Sequence, residues 1–333
     1  MRGRSWLLWG LLLSPAPAAL LALQFGAYPI SPLEVWRVLA GLWSGGDQTE
    51  TVSIILWQVR LPRIVLAMLV GLALSTSGAT LQAVFRNPLV DAFILGISSG
   101  AAFGCAVSVA FFPALPIQLG AFTFSLISAF LTFALARTRG EVPILSLILA
   151  GVIVSAFFSA LVSMIKFLVD PQKLASIVFW LMGSLSLADW LAVRQAGPFI
   201  ALGSLLIWLG RWRLNALSMG DAEAKSLGLA VNRERGLFLL AAALTVAAAV
   251  SVSGIIGWVG LIIPHVVRMS VGPDHRRVVP LSMALGASFL VLSDTVARTS
   301  TSGEIPVGII TTLAGAPFFI YLLKQRGQGS WQA

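Results

Sequence analysis

Of the 333 residues, 58% are hydrophobic and only 11% charged, and the mean hydropathy is +0.93, a balance that excludes an ordinary soluble domain and implies a polytopic membrane protein. The formal net charge of +9 would suggest nucleic acid as the partner of a soluble chain; here it reports which loops face the cytoplasm, and no nucleic-acid partner is expected. Lone Cys105, inside an apolar run, excludes an intrachain disulfide and has no metal-ligand spacing around it.

In chain order, Met1 to Phe25 has the look of a signal peptide, with Arg2 and Arg4 ahead of an apolar run. The run continues past Pro17 through Leu23, and at about 1.5 Å per residue it is long enough to cross a core of roughly 30 Å, so it is read as an uncleaved first span. A polar loop, Gly26 to Ile55, follows. RLPR (Arg60 to Arg63) opens a second span through Val84, RNPLVD (Arg86 to Asp91) closes it, and a third span runs from Ala92 to Ala110. Phe111 to Pro116 turns the chain into a fourth span ending at Arg137, and a fifth covers Pro143 to Leu168. Ser176 to Leu185 is too short and broken to span. The sixth, seventh and ninth spans are Leu191 to Leu209, Leu237 to Val252 and Val279 to Val296. The eighth is short, follows Gly254, Gly257 and Gly260, and ends at GPDHRR; Val307 to Leu323 is the tenth. The expected fold is therefore all-α, with about ten spans in a single membrane domain over residues 1–333.

Between spans six and seven lies the longest strongly polar interruption, Asn215 to Gly236. Its charges, Asp221, Glu223, Lys225, Arg233, Glu234 and Arg235, belong in water, because each would cost roughly 2.5–3.5 kcal/mol at the centre of a span. After Gly220, Asp221 and Glu223 stand where a helix dipole favours negative charge, Ala222, Ala224, Leu227 and Leu229 alternate with polar residues, and Gly228 ends the pattern. Residues 215–230 thus contain a predicted short cytoplasmic helix suited to docking a soluble partner. With both termini inside, 15 of the 22 Lys and Arg residues face the cytoplasm, among them Arg86, Arg137, Arg139, Arg213 and Arg235. Arg60 and Arg63 run against this bias and require another explanation.

Gly96, Gly100 and Gly104 recur every fourth residue, the spacing that lets helix backbones approach closely. The same stretch formally matches a serine-hydrolase elbow at Ser98, which would make an intramembrane hydrolase, although a membrane-helix composition does not supply the strand-to-helix turn that motif needs. On span five, Ser155, Ser159 and Ser163 follow Gly151 at four-residue steps with Lys166 on roughly the same face; span ten carries Gly308, Thr311, Thr312 and Gly315. Such stripes either bond to neighbouring helices or form a mildly polar wall of a translocation path. Lys166 either snorkels to the outer interface or favours anions at the mouth of that path. No acid or histidine sits mid-span as a proton relay, which argues against a secondary carrier. Gly220 to Ser226 lacks the second glycine and preceding strand of a phosphate loop, so the chain itself should bind no ATP and carry no catalytic residue.

RLPR, GLALSTSGATLQAVFRNPLVDAFILGISSGAAFG, MGDAEAKSLG, GIIGWVGLIIPHVVR, DHRR, DTVAR and EIPVGIITTLAGAPFFIYLL together resemble the FecCD-type permeases, from about Trp57 to Leu323 and in matching order. These are membrane subunits of type II ABC importers for iron siderophores, haem and cobalamin. The resemblance implies a ten-helix protomer with an inverted repeat of spans two to five and seven to ten, and a homodimer in the bacterial or archaeal cytoplasmic membrane with the path on its two-fold axis. It also implies two cytoplasmic ATPase subunits, which hold the Mg-ATP, and a periplasmic or lipid-anchored binding protein. Carried over to this chain, Gly220, Asp221, Glu223, Lys225, Ser226, Leu227 and Gly228 resemble the coupling helix that seats in the ATPase. Arg60 and Arg63, with Arg298, resemble the outward arginines that meet acidic residues of the binding protein, and Asp294, four residues before Arg298, holds it. Spans five and ten are the path-lining helices of that family, in agreement with the stripe at Ser155, Ser159, Ser163, Lys166, Gly308, Thr311 and Thr312. The resemblance leaves the cargo open between a metal chelate and an oxyanion such as molybdate or tungstate. No metal site is expected in this chain.

Overall fold

The computed structural model describes residues 2–326 apart from 27, 45–50, 92, 139–140 and 302. Arg139 and the expected start of the third span at Ala92 therefore lie outside the described residues. The chain opens with α1 (Arg2–Leu13), α2 (Pro15–Gln24), α3 (Pro32–Ser44) and α4 (Thr51–Ile54), then continues through a π-helical turn, Ile55–Arg60, directly into α5 (Leu61–Val84). There follow α6 (Ile97–Phe111), α7 (Ile117–Ala136), α8 (Ile144–Leu168), α9 (Pro171–Leu181), α10 (Trp190–Met219), α11 (Asp221–Ser226), α12 (Val231–Ser253), α13 (Val259–Val271), α14 (His275–Thr299) and α15 (Val307–Arg326). Among the described residues, six stretches are long and apolar enough to cross a membrane: Thr51–Val84, α7, α8, α10, α12 and α14. Three shorter apolar helices are α6, α13 and the Val307–Tyr321 part of α15.

The N-terminal third departs from the sequence reading in three places. The first apolar run is two helices, not one, because Pro15 has no N–H with which to continue α1. At that break Ser14 Oγ donates to the Leu11 carbonyl at 2.8 Å and meets Ser288 Oγ of α14 at 2.7 Å. The loop expected over Gly26–Ile55 contains α3, and its signal was present in the sequence as Ser31-Pro-Leu-Glu34. The Ser31 N–H and hydroxyl donate to Glu34 Oε2 at 2.8 and 2.7 Å, and the Glu34 N–H returns to Ser31 Oγ at 3.3 Å, a reciprocal capping box.

RLPR, third, does not open a helix but lies within one, which runs unbroken over 34 residues from Thr51. The wide π turn is what admits Pro62: in that register the carbonyl of Trp57 would look for the N–H that Pro62 lacks. The indole of Trp190 supplies the missing donor, at 2.8 Å from the Trp57 oxygen.

The bundle is built around α5. In its most apolar window 78% of the Thr51–Val84 stretch is buried, against 28% for α8, so α5 is central and α8 peripheral. α14 lies along it, with α10, α12 and α13 also packed on it. Small residues make this possible. A Cβ at Gly78 would stand 2.0 Å from the Gly260 carbonyl oxygen of α13, and one at Gly71 would stand 2.2 Å from that of Gly286 in α14. The hydroxyls along α5 are satisfied without water: Ser75 Oγ donates to Gly71 at 2.7 Å and across to Ser282 at 2.8 Å, Thr76 to Leu72 at 2.6 Å, and Thr80 to Thr76 at 2.8 Å. The Gly96, Gly100, Gly104 stripe also packs, against α7, where a Cβ at Gly104 would come within 2.2 Å of the Gly120 oxygen.

Replacing Gly78 by alanine is therefore expected to destabilise the detergent-solubilised protein by about 1–3 kcal/mol, the range of overpacked cores. Gly257, where a Cβ would meet nothing within 4 Å, should accept alanine without loss. Thermal unfolding followed by size exclusion compares the two, and equal midpoints would show that α5 and α13 do not need this approach.

Candidate functional site

The helix directions sort the polar groups into two clusters at opposite ends of α5. At its start, Arg63 Nε and Nη2 donate to Asp294 of α14 at 2.9 Å each, and Arg63 Nη1 reaches both oxygens of Glu304 at 2.9 Å. Asp294 also lies 3.9 Å from Arg298 Nε, one helical turn on. Two further guanidiniums hold α2 and the segment after it: Arg298 Nη2 donates to the Ala22 carbonyl, and Arg60 donates to those of Leu23 and Tyr28. Ala22 and Leu23 belong to the last turn of α2, whose carbonyls have no partner within the helix, and a cation there also opposes the negative end of its dipole.

The sequence reading has these three arginines facing outward for a partner. In the protomer they are turned inward, with Arg60, Arg63 and Arg298 only 3%, 7% and 9% exposed. There the guanidiniums meet the orphan carbonyls of α2 and the buried Asp294 carboxylate. Asp294 does hold Arg298 as expected, but its close contact is the bidentate one with Arg63, the geometry in which an Arg–carboxylate pair is strongest.

The opposite end carries α11 and the groups around it. Gly220, with φ +146°, and Gly228, with φ +80°, bracket the helix and adopt backbone conformations that a side chain would strain. Ala224 is its single buried side chain among the described residues. Glu223, Lys225, Ser226 and Leu227 are exposed, Leu227 by 63%. Asp221 is different: its Oδ1 accepts from Arg235 Nη2 at 2.7 Å and from Arg86 Nη2 at 3.2 Å. Arg235 also donates through Nη1 to the Val142 carbonyl at 2.8 Å. Sequence reasoning counted Arg86 and Arg235 only as topology markers. Nothing in a linear pattern pairs residues 135 and 14 positions away with Asp221.

Nearby, Arg213 Nη1 pairs with both oxygens of Glu234 at 3.0 Å, joining α10 to α12. Asn215 Nδ2 donates to Asp274 Oδ1 at 2.7 Å while its own Oδ1 accepts the His275 N–H at 2.8 Å, joining α10 to α14. Partial burial works against a charge on Asp274. The Asn215 amide, the Arg276 N–H and the Arg276 and Arg277 guanidiniums outweigh it, holding the carboxyl below its ordinary range.

The two polar stripes divide. On α8, Ser155 and Lys166 are half-buried and Ser159 and Ser163 exposed, with Ser163 Oγ donating to the Ser159 carbonyl at 2.9 Å. On α15, Thr312 is exposed but Thr311 is fully buried. A Cβ at Gly308 would come 2.2 Å from the Met182 carbonyl oxygen, so Gly308 and Thr311 serve packing inside the protomer. Ser98 Oγ has no hydrogen-bond partner among the described residues, and no nucleophile–base pair forms there.

Among the described residues, the six long apolar stretches and the short helix on a glycine-bracketed arm between α10 and α12 define a polytopic helical membrane protein. The chain belongs to the FecCD transport family, whose model matches residues 12–325, and so is the membrane subunit of a type II ABC importer. Hydrolysis of ATP resides in a separate chain, and such a system also has a substrate-binding protein. The chain is 44% identical over 314 residues to a probable iron chelatin transport system permease protein of Helicobacter pylori, covering 93% of this chain and 95% of the relative. It is 41% identical over 333 residues to the molybdate import system permease protein MolB of Haemophilus influenzae, covering 96% and 97% of the two chains. A solved structure described as an inward-facing conformation of a metal-chelate type ABC transporter matches with a TM-score of 0.85 and 40% identity over 96% of this chain and 99% of that one.

Proposed function

We propose that the chain works as a homodimer in the bacterial or archaeal cytoplasmic membrane, importing a metal chelate with α11 as the seat of its ATPase. The observation that carries the reading is α11 itself, a six-residue helix between two glycines that offers Glu223, Lys225, Ser226 and Leu227 outward. The six long stretches, the three shorter apolar helices and the α1–α2 pair supply ten crossings, with both termini on the side of α11 and an inverted repeat of spans two to five and seven to ten. Ser155, Ser159, Ser163 and Lys166 of α8, with Thr312 of α15, are the path wall. The poorly buried α8 is the face on which the second protomer sits, since exposed Phe157, Met164 and Phe167 accompany the serines.

Asp221 is engaged within the chain, so the test of the seat leaves it intact. Glu223→Lys combined with Leu227→Asp is expected to weaken retention of the ATPase by roughly 30- to 1000-fold, as loss of an interface hot spot of about 2–4 kcal/mol does. Thermal stability should stay unchanged. Quantitative mass spectrometry of complexes from gently solubilised membranes reads this, and full retention by the double variant would place the ATPase elsewhere.

The binding protein docks at the other end. Three arginines against Asp294 and Glu304 leave that cluster with an excess positive charge, which attracts acidic lobes even though each guanidinium has a partner. Glu304, with its side chain 42% exposed, is the accessible carboxylate there. Glu304→Gln should raise the association rate of the binding protein about two- to tenfold at low salt and steepen its salt dependence. An unchanged rate in stopped-flow mixing would move docking away from the arginines.

The full-length likeness to an iron chelatin permease favours a ferric chelate. The oxyanion reading is kept by Lys166 beside the serine stripe and by the molybdate relative. In vesicles containing the whole complex, excess unlabelled ferric siderophore should abolish uptake of the labelled chelate while molybdate leaves it intact; the reverse pattern would select the oxyanion.

A further inference from the structure

Resting on the coupling reading of α11, we propose that Arg235 is the positioning residue through which displacement of that helix reaches the path, with Asp221 as its grip on α11 and Arg86 as a weaker second arm. Three observations converge. Among the described residues, the ion pairs that tie α11 to the rest of the protomer both run through Asp221. The backbone at each end of α11 is a glycine in a permissive conformation, so the main chain is compliant where a rigid link would be needed.

Arg235, in contrast, is held at both prongs of a planar fork, with its side chain only 4% exposed. One prong holds Asp221 at 2.7 Å and the other holds the Val142 carbonyl at 2.8 Å, two residues before α8 begins at Ile144. Arg235 itself belongs to α12, which packs on α5, α7 and α10. One guanidinium thus joins the moving helix to the residue that leads into the path-lining α8 and to the central bundle. The Arg86 arm is longer, at 3.2 Å, and more open, with its side chain 37% exposed, so it contributes less. The other ion pair at this end, Arg213 with Glu234, joins α10 to α12 and bypasses α11.

The test uses the whole complex in proteoliposomes with Asp221→Asn, Arg235→Lys and Arg86→Gln. Asparagine keeps an acceptor without the charge. Lysine keeps the charge without the two-pronged reach. Retained ATPase, ATP hydrolysis and cargo moved per ATP are measured together, a ratio that a merely structural contact does not change. Asp221→Asn and Arg235→Lys are expected to keep the ATPase and hydrolyse ATP while cargo per ATP falls by roughly 5- to 150-fold, the range of ordinary intersite coupling. Arg86→Gln should lower it no more than about fivefold. Unchanged cargo per ATP in the first two variants would overturn the relay. So would loss of the ATPase from either one while wild type keeps it, since the residues would then be contacts and not a link. A wild type that retains no ATPase would instead sink the coupling reading itself. Should Arg235→Lys fail to fold, Asp221→Asn decides alone, because the Asp221 side chain is 43% exposed and asparagine keeps an oxygen that accepts from Arg235.

Discussion

In hydrocarbon there is no water to satisfy a stray carbonyl, so a central membrane helix must bring its neighbours close without exposing backbone polar groups to them. α5 meets that constraint with small residues. Where Gly71 and Gly78 face Gly286 and Gly260, backbone lies on backbone, and the intervening hydroxyls return their protons to carbonyls within α5 or across to Ser282. α10, α12, α13 and α14 all pack on this helix. α14 and α13 can lie against α5 only at that separation, and α14 in turn carries the carboxylate that receives Arg63.

A buried ion pair is a poor source of net stability, because taking two charges out of water costs as much as their attraction returns. The cluster at the start of α5 is better understood as a fixture of position. Arg63 links α5 to α14 through Asp294, while Arg298 and Arg60 close the open carbonyls of α2 and hold the N-terminal helices to the bundle. Loss of one member leaves a charge buried without its partner, the costly case. The same groups, three guanidiniums against two carboxylates, also leave an excess positive charge at that end of the bundle.

The other end is built on a different principle. Its ion pairs are partly exposed and individually weak, yet they are distributed so that α10 is tied to α12 and α14, while among the described residues the ion pairs of α11 run through Asp221. A helix attached by glycine joints and one shared carboxylate is suited to being moved by a partner, whereas the α2 latch at the far end is suited to staying in place. The short helix buries Ala224 and leaves Glu223, Lys225 and Ser226 exposed, and so contributes little to the core.

Composition and hydropathy alone determined that the chain is a helical membrane protein, where most of its helices run and which stretch must sit in water, because each of these is decided by the cost of placing a residue in hydrocarbon. The block order from RLPR to EIPV determined the family, and even the missed α3 was legible in Ser31 and Glu34, since a capping box is a local bond. Partnership between distant residues was not legible. Only the tertiary structure decided that Arg60, Arg63 and Arg298 turn inward, that Thr311 packs while Thr312 is exposed, and that Asp221 belongs to Arg235. Each outcome depends on which face a helix presents once its neighbours are in place, and on which orphan carbonyl or carboxylate then lies within reach of a side chain whose own sequence neighbours say nothing about it.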